Sequence, residues 1–91
     1  NARMWNLAQA LTILFSGVEW CCILTYGGGV YYVAHSGERK LTDEQRNYLA
    51  KIIELINTAE GLSKVRMITL DVEDGRIIVL RGKAIVLMKL K

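Results

Sequence analysis

Val18-Glu19-Trp20-Cys21-Cys22-Ile23-Leu24-Thr25-Tyr26-Gly27-Gly28-Gly29-Val30-Tyr31-Tyr32-Val33-Ala34-His35 is the stretch that decides how this 91-residue chain folds. Val18 to Tyr26 reads as a strand. Trp20 to Leu24 is apolar without alternation, the pattern of a strand covered on both faces. Three glycines then turn the chain, and Val30 to His35, rich in Val and Tyr, returns as a second strand. Trp20 to Gly37 carries no Asp, Glu, Lys or Arg and is long enough to raise a membrane span. The glycines at its centre divide it into two strands instead. Nor is Gly27-Gly28-Gly29 a phosphate cradle, because a strand follows it where a helix should, and no Lys-Ser/Thr pair is present.

Upstream, Met4, Leu7, Ala8, Leu11, Leu14 and Phe15 recur at helical spacing, predicting a helix over 2–16 with Gly17 as its C-terminal cap. Asn6, Gln9 and Thr12 fall outside that stripe and also break any signal-peptide reading. No charge lies between Met4 and Gly17, so this helix is expected to touch something on two sides. Downstream, 36–40 is a polar loop. Thr42-Asp43-Glu44-Gln45 is a capping box that opens a second helix, expected to run to Glu60 and stop at Gly61. Its apolar set, Tyr48, Leu49, Ile52, Ile53, Leu55, Ile56, Ala59 and Leu62, spans an arc of about 180°, wider than the ~100° stripe that one sheet needs. Strands are then predicted over 65–72, 76–80 and 83–90, with a type I′ turn at Asp74-Gly75 and a tight turn at Arg81-Gly82. The stretch 84–88 is again apolar on both faces, which puts the last strand with the first in the middle of the sheet, while Lys64, Arg66 and Asp71 put 65–72 nearer its rim. The fold class is α+β: a five-stranded antiparallel sheet with element order α-β-β-α-β-β-β, in one domain spanning 1–91.

Composition excludes several classes. Ala, Val, Ile, Leu, Met, Phe, Trp, Tyr and Cys make up 52 % of the chain, and eight glycines come on top. Such a sequence is not disordered, and a chain this short buries only about two-thirds of its unfolded surface. The surplus apolar surface implies a partner. Net charge is +3. Residues 1–37 hold only Arg3 and Glu19, and the other charges interleave by sign along 38–91, as on a solvated face rather than a nucleic-acid-binding stripe. The expectations are no nucleic acid, no membrane insertion and a cytoplasmic location.

The chemistry-bearing residues are sparse. Cys21 and Cys22 are neighbours on a strand, so they point to opposite faces and read as buried, reduced thiols. His35 is the single His, which makes neither a triad nor a metal site. Asp71, Glu73 and Asp74 read as a solvated turn. No catalytic, cofactor-binding or metal-binding residue is assigned, and the chain is expected not to be an enzyme.

Gly17-Val18-Glu19-Trp20-Cys21-Cys22-Ile23-Leu24, the spacing to Gly28, and Val30-Tyr31-Tyr32-Val33-Ala34 resemble the first hairpin of roadblock/LC7 domains. The long helix at 42–61 and the strands over 65–90 match the rest of that pattern, so the resemblance covers almost the whole chain. Many such domains end in a third helix, and this sequence stops after the last strand. The fold is thus expected to be roadblock/profilin-like without the usual C-terminal helix. The resemblance implies a homodimer, or a heterodimer with a related domain, that scaffolds or regulates a small Ras-like GTPase, or serves as a dynein-associated light chain. It also implies a dimer built on the central helix and the strand after it. The interface residues expected on that basis are Tyr48, Leu55, Ala59, Leu62, Arg66, Ile68 and Leu70, with Leu49 and Ile53 on the other edge of the arc and Ile52 and Ile56, between them, packing on the sheet. The alternatives are a structural subunit of a larger complex without a GTPase, and a small-ligand sensor on a profilin-like sheet.

Overall fold

β1 (Val18–Leu24) and β2 (Val30–Ala34) pair antiparallel from Trp20↔Ala34 to Leu24↔Val30 in a computed structural model, which describes residues 1–60 and 64–91. The glycine turn closes between Thr25 and Gly29, where the Thr25 amide donates to the Gly29 carbonyl at 3.0 Å. Gly28 sits in the left-handed region at φ 97°, which glycine adopts without penalty. α1 (Ala2–Leu14) precedes the hairpin; α2 (Asp43–Glu60), β3 (Met67–Val72), β4 (Gly75–Arg81) and β5 (Ile85–Leu90) follow. The five strands form one antiparallel sheet in the order β2-β1-β5-β4-β3. β1 and β5, read as covered on both faces, lie inside it. β3, read as nearer the rim, is an edge.

Two helices sandwich the sheet. On one face α2 brings Leu49, Ile52 and Ile56 onto Trp20, Cys22, Tyr32, Ile77, Val79 and Leu87. On the other, α1 packs Ala8 over Val18, Cys21, Ile23 and Val33. The adjacent cysteines therefore belong to opposite cores, as strand geometry requires. The capping box of α2 forms in both directions. The Thr42 amide donates to Gln45 Oε1 at 2.8 Å, and the Gln45 amide to Thr42 Oγ1 at 3.2 Å. The stop expected at Gly61 lies outside the described residues. Among the described residues no helix is long and apolar enough to cross a membrane.

Three local readings differ. α1 ends two residues early, at Leu14, because Phe15 takes an extended conformation (φ −116°, ψ 101°), and Gly17 is not in the left-handed region. Thr12, placed outside the apolar stripe, is 2 % exposed. Its hydroxyl donates to the Gln9 carbonyl at 2.8 Å, so its methyl packs inward with no polar atom stranded. The β3–β4 turn residues are Glu73 and Asp74, not Asp74-Gly75, since Val72 pairs with Gly75. Neither Glu73 nor Asp74 has a positive φ, which a type I′ turn would demand. Gly75 instead opens β4 at φ 152°.

Candidate functional site

Two of the exposed large apolar residues lie where α2 meets the sheet edge. Burial of Leu49, Ile52 and Ile56 fixes the rotation of α2. Tyr48 and Leu55 then fall on the flank beside β3, 39 % and 42 % exposed. With Glu44, Asn47, Lys51 and Ile52 they wall a groove of about 540 Å³ whose other side is Leu70, Asp71 and Val72. Ile68 and Leu70 point to the α2 face and are half-buried against its core. Ala59 is half-buried, and Arg66, just before β3, is exposed. Leu62 lies outside the described residues. The structure thus gathers Tyr48, Leu55, Ile68 and Leu70 on one side of the molecule. Leu49, placed on the other edge of the arc, is buried at 5 %, while its companion Ile53 is exposed.

Among the described residues β3 pairs only with β4, so its outer side is an open ladder. The Arg81 amide donates to the Arg66 carbonyl at 2.8 Å, with Met67 opposite Leu80. Hydrogen bonding alternates along an antiparallel strand. Hence Ile68 and Leu70 direct their backbone groups to β4, and Met67, Thr69 and Asp71 direct theirs outward. A Pro at Ile68 therefore breaks the β3–β4 ladder rather than an intermolecular one.

The remaining chemistry-bearing groups are occupied structurally. The Cys21 and Cys22 thiols are buried, and desolvation pushes each from 9.0 up to about 12; at Cys22 the neighbouring Cys21 adds to this and a backbone hydrogen bond opposes it. His35 Nδ1 lies 3.1 Å from the Thr12 carbonyl. Asp71 Oδ1 accepts from Arg76 Nε at 2.8 Å. Among the described residues no cluster of His, Cys, Asp and Glu could hold a metal ion. Native-state alkylation is expected to leave both thiols unlabelled until denaturant is added, since neither a thiolate nor an access path exists. Folded thiols that titrate near 12 against 9.0 when free hold their stabilising effect below pH 9.0 and lose it as pH rises toward 12. Thermal stability should fall across that window, and less steeply in Cys21→Ala.

One residue escaped the sequence reading. Lys89, in a strand read as apolar, is 5 % exposed. Its ammonium donates to Glu19 Oε2 at 2.9 Å and to the carbonyls of Leu90 and Asp74 at 3.0 and 3.1 Å. Three donors meet three acceptors, so the buried charge is satisfied. The only signal was Glu19, the one acid among the first 37 residues, but its partner is 70 positions away.

Comparison with protein-family models, curated proteins and solved structures finds no match to this chain.

Proposed function

We propose that this chain is a non-enzymatic, dimeric interaction module that scaffolds or regulates a small Ras-like GTPase in the cytoplasm. The observation that carries the dimer is that the exposed Tyr48–Leu55 flank of α2 and the open edge of β3 lie side by side. An open edge is a liability unless paired or covered. A two-fold axis at Thr69 would set its outward backbone groups against their own copies and join two five-stranded sheets into one. The same operation brings the two α2 flanks together over Leu70 and Val72. The GTPase rests on the roadblock-like pattern of the first hairpin and on the element order that the chain shares with it.

Two measurements test the reading. Light scattering should give twice the 10.3 kDa chain mass, and immobilised protein should retain a Ras-like GTPase in one nucleotide state only. A monomer at micromolar concentration ends the dimer reading; equal retention of both nucleotide states, or of neither, ends the regulatory one and favours the structural subunit. Thr69→Pro removes an outward donor without touching the β3–β4 ladder. It should weaken the dimer about tenfold or more, the order of one lost hydrogen bond plus local distortion. Ile68→Pro should lower the melting temperature of the monomer itself.

A further inference from the structure

We propose a second docking surface on the opposite face of the sheet, a groove beside α1 that takes an acidic-ended amphipathic helix of a partner protein. α1 lies over β1 and β2. The same face of β4 and β3 has no helix over it among the described residues, and Met67 and Leu80 stand there 61 % and 39 % exposed. The groove, about 380 Å³, has Ile23, Ala84 and Val86 as floor and Met4 and Leu7 of α1 as one wall. Leu14 is 73 % exposed and continues the Leu7 edge two turns on. α1 is thus apolar toward its bare side, which accounts for a helix without charge after Arg3 better than packing on the sheet alone.

Size, composition and charge specify the occupant. β5 to β3 spans about 10 Å, the width of one helix, and the six or seven residues of each strand match the 13-residue length of α1. All three methionines of the chain, Met4, Met67 and Met88, fall on this face. Unbranched thioethers adapt to an incoming apolar stripe, as on helix-binding surfaces generally. Among the described residues no acidic side chain lines the groove, whereas Lys83 does, and Arg3 stands one turn before Leu7. The one carboxylate on this face of β3–β5, Asp71, is at the far end and held by Arg76. An incoming helix with carboxylates at the end over Lys83 meets complementary charge.

The test uses the whole protein with its methionine methyls labelled with carbon-13, so that Met4 reports from the groove wall, Met67 from beside Leu80 and Met88 from the same face of β5. The probe is a synthetic amphipathic peptide as long as α1, with a Leu stripe and two Glu at one end, beside the same peptide with Lys in place of Glu. The Glu peptide should shift all three signals and bind about tenfold tighter than the Lys peptide, with the gap shrinking in about 0.5 M salt. Lys83→Glu, at an exposed turn, should invert that preference, and Leu80→Asp should abolish the shifts. Leu55→Glu should leave them unchanged, which separates this surface from the dimer reading. Equal binding of both peptides, unmoved methionine signals, or a Leu80→Asp variant that changes oligomeric state and so makes a second copy the occupant, each overturns the proposal.

Discussion

Gly75→Ala should lower the stability of the folded chain by about 3 kcal/mol or more, the range of a strained backbone combined with a steric clash. A Cβ built on Gly75 would lie 2.2 Å from the Leu90 carbonyl oxygen and 2.8 Å from Lys89 Nζ. The oxygen belongs to the backbone of β5 and cannot step aside without breaking the β4–β5 ladder. The ammonium cannot move without leaving the Glu19, Leu90 and Asp74 oxygens that satisfy its buried charge. Gly75 also holds φ 152°, where a side chain is strained whatever the space. One methyl therefore disturbs the turn, a ladder and a buried ion pair together. Gly27→Ala is the matched control. Nothing lies within 4 Å of its Cβ and its φ is not positive, so a change within about 0.5 kcal/mol is expected. Urea denaturation of both variants settles the matter. Equal midpoints would mean that the Gly75 backbone relaxes freely.

Leu55→Glu should split the proposed dimer, raising its dissociation constant about a hundredfold or more while the monomer keeps its fold. Leu55 is 42 % exposed on the isolated chain, so a carboxylate there stays hydrated in the monomer. In a dimer that closes over the Tyr48–Leu55 flank the same carboxylate is desolvated, at a cost of several kcal/mol. Ile53→Glu is the informative partner, because Ile53 is comparably exposed, at 36 %, but lies on the other side of α2. Sedimentation of the two variants distinguishes the flanks. If Ile53→Glu dissociates the dimer and Leu55→Glu does not, the interface lies away from β3.

Both expectations draw on what the chain announces locally and on what it does not. The hairpin of β1 and β2 was legible because a charge-free apolar run interrupted by three glycines has few other solutions. The start of α2 was legible because Thr42 and Gln45 satisfy each other's backbone amides within four residues. The interior positions of β1 and β5 followed from apolar runs without alternation, and the rim position of β3 from the charges at Lys64, Arg66 and Asp71. Turn chemistry was less secure. Asp74-Gly75 reads as a type I′ pair, but the register of β3 against β4 pairs Val72 with Gly75 and so sets the turn one residue back, at Glu73-Asp74.

By itself the sequence determined the element types, their order, the α+β sheet and the arc of α2, since caps, glycine turns and side-chain periodicity act over a few residues. Only the tertiary structure decided which flank of α2 stands beside the open edge, because helix rotation is set by which side chains fit the sheet. It alone decided which backbone groups of β3 face outward, because that depends on register against β4. It also joined Glu19 to Lys89 and, among the described residues, left the α1 face of β3 and β4 without a helix, contacts and gaps between segments that no local pattern relates.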